Sequence, residues 1–190
     1  MTLRLVSQFL GFAFLLAAQT PPVPVMPAGV AADFDVEYST VGARVAMDIV
    51  RPRIEPSEAR PAVILVHGGG FRRGNRQSYL PLAIKLAERG YVAATVSYRL
   101  APRHQFPAPV HDVKAAVRFL RANAARFQID PDRIGAFGSS AGGHLALFLG
   151  LTPDVKELEG AGRIKSFRAV FPVWSTTTGQ LILRNPMQRA

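Results

Sequence analysis

Short apolar segments alternate with amphipathic ones along the middle of this chain, and that alternation restricts the possible folds. An uninterrupted apolar run of five or six residues is typical of a strand buried on both faces of a sheet. Residues 62–66 (AVILV) form such a run, and three further, mostly apolar segments are predicted to be strands as well: 91–96 (YVAATV), 133–137 (RIGAF) and 167–171 (FRAVF). Three segments with helical spacing of apolar residues lie between them: 79–89, 112–127 and 141–151. This order predicts an α/β domain with a mostly parallel sheet and flanking helices.

Two segments ahead of this unit alternate apolar and polar residues. They are residues 34–38 (FDVEY) and 43–50 (ARVAMDIV), separated by a turn at 40–42. Such a pair predicts an antiparallel hairpin at the edge of the sheet.

The first eighteen residues have the layout of a secretory signal peptide. Arg4 precedes a short apolar stretch that ends in Ala17 and Ala18. Residues 19–31 are rich in proline and alanine and are predicted to be a linker, which leaves 32–190 as the α/β domain. We therefore expect a secreted or periplasmic protein with no stable membrane span after cleavage. An uncleaved N-terminal anchor is the alternative.

Composition narrows the function classes. The chain has no cysteine, so it holds no disulfide and no thiolate nucleophile, and its four histidines lack ligand spacing with carboxylates. We therefore expect no metal site. The formal net charge is +10, but the arginines are scattered and form no basic helix stripe, which argues against a nucleic-acid partner.

Residues 138–142 read Gly138-Ser139-Ser140-Ala141-Gly142 and match the pattern G-x-S-x-G. They lie between a predicted strand and a predicted helix, which is the context of a nucleophile elbow. Glycine is needed at Gly138 and Gly142 because side chains there would collide with neighbouring backbone. The motif predicts Ser140 as a nucleophile. An ordinary strand-to-helix turn with a capping serine is the alternative.

Residues 67–70 read His67-Gly68-Gly69-Gly70 and follow the first apolar run. Such a loop presents backbone N–H groups to an oxyanion, and we expect Gly69 and Gly70 to donate together with Ala141. A phosphate-binding loop is disfavoured because neither G-x-x-x-x-G-K-[ST] nor G-x-G-x-x-G is present. His67 is expected to brace the loop.

Three other polar sites have less specific expectations. Asp112 is predicted to begin a helix, either as its N-terminal cap or as a charge that favours the helix dipole, and residues 130–132 are predicted to form a turn. His144 lies one helical turn beyond Ser140 and is expected to line the pocket.

The continuous stretch from residue 33 to 174, with HGGGFRRGN, VSYRLAPRHQFPAPVHDV and RIGAFGSSAGGHLALFLG, resembles the hormone-sensitive-lipase-like esterases. It is most similar to their acetyl-esterase and feruloyl/acetyl-xylan-esterase relatives. The resemblance implies an α/β-hydrolase fold, no cofactor, and hydrolysis of short-chain or sugar-linked carboxylic esters through an acyl-enzyme. The expected partner is thus a small-molecule or carbohydrate ester; oligomeric state stays open. Arg103 departs from the family, in which an acid is common at that position.

The remaining triad members have no candidate. In this fold the chain order is Ser, then Asp or Glu, then His, yet no histidine follows His144. We expect a C-terminally incomplete domain that lacks the triad acid and base and has little activity. Residues 175–190 show no family likeness. A catalytically dead module used for binding is the alternative.

Overall fold

The computed structural model describes residues 25–55, 57–153 and 155–161. Within them the chain forms five strands: β1 (Val30–Ser39), β2 (Val45–Pro52), β3 (Arg60–Val66), β4 (Val92–Val96) and β5 (Ile129–Gly138). It also forms four helices: α1 (Leu80–Glu88), α2 (Ala108–Ala122), α3 (Ala124–Phe127) and α4 (Ala141–Leu151). The predicted signal peptide, the strand predicted at 167–171 and the tail from 175 lie outside these residues.

The strands form one sheet in the order β1-β2-β4-β3-β5. β3 pairs in parallel with β4 and with β5, while β2 runs antiparallel to both β1 and β4. Four of the five described strands therefore share one direction, and the predicted hairpin and mostly parallel sheet are confirmed. The register aligns the carboxyl ends of the parallel strands, because Val66 pairs with Val96 on one side and with Gly138 on the other. The loops that follow these strands consequently emerge side by side.

Helices cover both faces of the sheet. α1 packs on one face through Leu80, Ala83 and Ala87, against residues such as Leu65 and Ala93. α2 and α4 pack on the other face. Their contributions are almost completely buried aliphatic side chains: Val113, Ala116, Val117, Leu120, Leu145 and Leu149. Burying each leucine or valine stabilises the fold by roughly 1.5–3 kcal/mol. No helix in the described ranges is long and apolar enough to cross a membrane.

The element boundaries differ from the predictions in three places. β1 begins at Val30, so the last two residues of the predicted linker belong to the sheet. The helix predicted over 112–127 begins earlier, at Ala108, and is divided at Asn123 into α2 and α3. The turn predicted at 130–132 is a bulge inside β5: Arg60 pairs with Ile129 and Ala62 pairs with Ile134. The Asp130 carboxylate accepts the N–H of Asp132 at 3.0 Å within that bulge.

Asp112 is not the helix cap that we predicted. It is the fifth residue of α2, because the helix begins four residues earlier than predicted. Pro109 fits in the first turn, where a backbone N–H would have no intrahelical acceptor. The side chain of Asp112 is buried and accepts the backbone N–H of Arg99 at 2.8 Å. The Arg99 guanidinium lies 2.8 Å from the other carboxylate oxygen. Asp112 therefore fixes the loop after β4 to α2.

Glu159 ties the segment after α4 to α2. One carboxylate oxygen accepts a hydrogen bond from Lys114 Nζ at 2.6 Å, and the other accepts from Arg118 Nη1 at 2.8 Å. Lys114 also donates to the carbonyl of Thr152 at 2.6 Å. Because the Lys114 side chain is 0% exposed and that of Arg118 is 4% exposed, Glu159 balances two buried positive charges.

Candidate active site

Ser140 occupies a sharp turn between the last residue of β5 and the first residue of α4. Its backbone has φ 52° and ψ −123°, which is the first central position of a type II′ turn, where glycine is preferred. A non-glycine residue held there stores roughly 1–3 kcal/mol of strain. Its exposed side chain makes no capping hydrogen bond to α4 within the described residues. The geometry thus contradicts the alternative of a capping serine.

At this turn, the start of α4 lies in direct contact with the backbone at the ends of β3 and β5. A Cβ atom at Gly142 would lie 2.6 Å from the carbonyl oxygen of His67 and closer still to that of Val66. A Cβ atom at Gly138 would lie 2.8 Å from the backbone nitrogen of Gly143. These backbone atoms cannot move aside, so glycine is required at both positions, as predicted.

The glycine loop after β3 touches this turn. A Cβ atom at Gly68 would lie 2.8 Å from the carbonyl oxygen of Ser139 and 3.4 Å from Cβ of Ser140. The loop then folds back on itself, because the carbonyl of Gly69 accepts the N–H groups of Arg72 at 3.1 Å and Arg73 at 3.2 Å. The two predicted motifs are therefore brought together at the carboxyl edge of neighbouring strands.

Three backbone N–H groups near this junction are unpaired. Among the described residues, the N–H groups of Gly69, Gly70 and Ala141 have no hydrogen-bond acceptor. The first hydrogen bonds of α4 instead run from Gly142 to Ser139 O at 2.9 Å and from His144 to Ser140 O at 3.0 Å. The unpaired N–H of Ala141 belongs to the positive end of the α4 dipole, which favours negative charge.

His67 lies beneath the glycine loop and is 2% exposed. Its Nδ1 donates to the carbonyl of Gly68 at 2.8 Å, and its ring stacks on Tyr98 with centroids 4.3 Å apart. The Tyr98 hydroxyl donates to the carbonyl of His67 at 2.8 Å. Burial lowers the pKa of His67 and raises the pKa of Tyr98 to about 12. These contacts fit the bracing role expected of His67.

The lowered pKa of His67 predicts an acid-sensitive fold. The unfolded chain binds a proton on this residue near its ordinary pKa of about 6.5, whereas the folded chain resists it. The contribution of neutral His67 to the free energy of unfolding is therefore fully present above about pH 6.5. It decreases as the pH falls below that value, by at most ~1.4 kcal/mol per pH unit. We expect urea denaturation between pH 7 and pH 5 to show this decrease, and we expect it to be smaller in His67→Gln. An equal slope in both proteins would assign it to other groups.

Tyr79 and Ser139 form a contact that the sequence analysis missed. The Tyr79 hydroxyl donates to Ser139 Oγ at 2.9 Å, and its ring meets Phe137 edge-on with centroids 5.6 Å apart. Tyr79 closes a 3-10 turn at Arg76–Tyr79 that leads into α1. The contact links the segment that leads into α1 to the serine turn. The only sequence signal was its position at the start of the predicted helix.

None of the described side chains makes a hydrogen bond to Ser140 Oγ. The His144 ring instead lies between Phe71, at a centroid distance of 6.0 Å, and Phe148, at 5.1 Å. His111 donates from Nε2 to the carbonyl of Glu157 at 2.8 Å. The described ranges also hold no cluster of three metal-ligating side chains.

A serine turn after β5 that meets a glycine loop after β3, on a sheet of this order, defines the α/β-hydrolase class. Residues 47–171 match the BD-FAE family, which is more than half of the 190 residues. The chain therefore belongs to the BD-FAE family.

Curated relatives carry esterase names. The chain is 40% identical over 110 residues to esterase LipC of Mycobacterium tuberculosis, covering 57% of this chain and 27% of LipC. It is 36% identical over 148 residues to carboxylesterase NlhH of the same species, covering 75% of this chain and 44% of NlhH. The chain thus spans less than half the length of these two relatives.

Solved structures show the same likeness. Esterase Est2 of Thermogutta terrifontis, bound to butyrate, has a TM-score of 0.66 at 32% identity, covering 78% of this chain and 52% of that one. A bacterial heroin esterase has a TM-score of 0.57 at 38% identity, covering 63% of this chain and 38% of that one. At these identities the likeness extends beyond the fold to the sequence.

Proposed function

We propose that this protein hydrolyses carboxylic esters through an acyl-enzyme formed on Ser140. The observation that carries the proposal is the geometry of Ser140, which is exposed at a strained φ of 52° on a turn that touches the glycine loop and precedes the unpaired N–H of Ala141. Strain of this kind persists at functional sites because the surrounding structure over-determines it. The esterase names of LipC and NlhH support the same reaction class.

The proposed reaction has two halves. Ser140 Oγ attacks the carbonyl carbon of the ester and gives its proton to a base, while the carbonyl electron pair moves onto oxygen. The N–H groups of Gly69, Gly70 and Ala141 stabilise that oxyanion. The carbonyl re-forms, the C–O bond to the alcohol breaks, and the alcohol leaves with the proton. Water then attacks the acyl-enzyme in the same way and releases the carboxylic acid.

The base in this scheme has no candidate in the sequence. The class places its histidine after the nucleophile, and no histidine follows His144. The loss of the Ser–His unit reduces turnover on the order of a million-fold, and oxyanion stabilisation leaves about a thousandfold over water. We therefore propose that residues 1–190 alone turn over esters slowly. Short-chain and sugar-linked esters are the substrates we propose.

Chemical rescue tests this proposal. Purified chain is treated with a fluorophosphonate probe and, separately, with p-nitrophenyl acetate, each with and without added imidazole as a diffusible base. A relative that is 30% identical, Thermogutta terrifontis esterase 2, is phosphorylated by paraoxon, which supports the choice of an organophosphorus probe. We expect slow labelling of the wild-type chain, and we expect imidazole to accelerate it at least about tenfold. The reaction of imidazole with each reagent in buffer without protein is subtracted.

Two serine variants make the outcome specific. Ser140→Ala is expected to abolish both labelling and rescue, whereas Ser57→Ala, at an exposed serine in the connection between β2 and β3, is expected to keep both. Labelling that survives in Ser140→Ala would assign the reactivity to another residue. Fast turnover of the wild-type chain without imidazole would show that a base is present after all.

A catalytically dead binding module is the second candidate, and it is favoured by the absence of a hydrogen-bond partner for Ser140 Oγ among the described residues. It predicts no labelling of a folded chain at any imidazole concentration.

We also propose secretion or export to the periplasm on the strength of residues 1–18. N-terminal sequencing of the exported protein tests this, and a mature chain that starts after Ala18 is expected.

A further inference from the structure

Five arginines lie on the two loops that follow β3 and β4, and they fall into two groups. Arg76 Nε lies 2.8 Å from the Asp48 carboxylate, and Arg99 Nη2 lies 2.8 Å from that of Asp112. Both of these carboxylates are 1% exposed. The other three arginines are exposed and have no carboxylate partner in the described part of the chain: Arg72, Arg73 and Arg103.

The segments around this edge of the sheet carry no acidic residue. None occurs in residues 67–79, 97–107 or 139–153, which follow β3, β4 and β5. Elsewhere in the described chain, two exposed arginines pair with an acid: Arg44 lies 2.7 Å from Asp35, and Arg133 lies 2.6 Å from Asp130. These three segments therefore carry positive charge and no negative charge of their own. The acids that reach Arg76 and Arg99 come from other segments, and they include exposed Asp35, which lies 2.9 Å from Arg76.

The three unpaired arginines are held close to the serine turn by backbone contacts. The carbonyl of Gly69 accepts the N–H groups of both Arg72 and Arg73, which keeps the pair within one turn of the free N–H groups. Arg103 lies on the loop after β4, and this loop is joined to the glycine loop by a hydrogen bond from Ala101 N to Phe71 O at 2.8 Å. The three arginines thus lie on the two loops that border the serine turn.

We propose that Arg72, Arg73 and Arg103 make this site selective for esters whose acyl or alcohol part carries a carboxylate. The inference rests on the proposed esterase function and adds a substrate class to it. Positive charge with no neighbouring acid attracts an anionic substrate over a distance of about 8 Å at physiological salt. A guanidinium also binds a carboxylate through two parallel hydrogen bonds, so the site would prefer a planar carboxylate group.

The test separates binding from chemistry. The full chain carrying Ser140→Ala is titrated with monobenzyl glutarate and with its carboxamide, benzyl 4-carbamoylbutyrate, which has the same shape and no charge. We expect the anionic ester to bind at least about tenfold more tightly at low salt, with the difference shrinking at 0.5 M NaCl. Replacing Arg72, Arg73 and Arg103 together by glutamine should abolish the difference. Arg89→Gln, which alters an exposed arginine at the end of α1, should keep it.

Each outcome bears on the inference. Equal binding of the two esters, or a preference that persists in the triple variant, overturns it. If fluorophosphonate fails to label Ser140 but the charge preference depends on the three arginines, the ligand class stands and the esterase proposal is wrong. If the triple variant instead loses binding to phosphatidylglycerol vesicles and the two esters bind equally, the arginines contact a membrane surface and the inference is wrong.

Discussion

Gly142→Ala is expected to destabilise the folded chain by about 3 kcal/mol or more, because the new methyl group has no space. It would meet the carbonyl oxygens of Val66 and His67, which are backbone atoms at the end of β3. Relief requires α4 to move away from the sheet, and that movement breaks the contact between the serine turn and the glycine loop. Urea denaturation followed by circular dichroism measures the loss as a lower midpoint.

Gly135→Ala is the matched control for this variant. Gly135 lies in β5, and the nearest atom to an added Cβ is the carbonyl oxygen of Ala62 at 4.0 Å. Because alanine is favoured over glycine by roughly 0.5–1 kcal/mol in a strand, we expect this variant to equal or exceed the wild type in stability. Similar losses in both variants would mean that the close approach of α4 to β3 is not the cause.

Glu159→Gln is expected to reduce the unfolding free energy by about 3 kcal/mol, since it leaves two buried positive charges without their counter-ion. The amide keeps the shape of the carboxylate but removes the charge that faces Lys114 and Arg118. Desolvation already lowers the pKa of Arg118, while the charge of Glu159 and its hydrogen bond to that guanidinium oppose this shift. The measurement is the urea midpoint at pH 7 and low salt.

Lys114→Met separates charge burial from packing. This variant removes a buried charge together with its need for a partner, and Arg118 still pairs with Glu159 at 2.8 Å. We expect a change within about 1 kcal/mol, because apolar replacements of buried ionic groups are often neutral. A larger loss in Lys114→Met than in Glu159→Gln would contradict the assignment of Glu159 as the counter-ion that these cations need.

The strands and the serine turn could be predicted because their signals are local. Residues 62–66 and 91–96 are uninterrupted apolar runs, which a strand covered on both faces requires, and both are strands in the structure. The glycines at 138 and 142 are equally readable, since the turn they permit is built from neighbouring residues. The parallel order of β3 and β5 then followed from the helices between the strands.

The charged side chains could not be predicted because their partners are distant in the chain. Asp112 was predicted to cap a helix, a local role, but its partner Arg99 comes from the loop after β4. Lys114 and Glu159 are forty-five positions apart, and no pattern of spacing joins them. The start of α2 was missed for a related reason: residues 107 and 109 are prolines, which indicate a loop until the first turn of a helix accommodates them.

The backbone of Ser140 also limits which side chains this turn can accept. At φ 52° a residue branched at Cβ crowds its own backbone, so threonine, valine and isoleucine are strongly disfavoured there. Among the hydroxyl and thiol side chains that attack carbonyl carbon, serine and cysteine are unbranched and threonine is not. The backbone conformation therefore restricts the nucleophile: a cysteine at position 140 fits the same turn, whereas a threonine, despite its hydroxyl, does not.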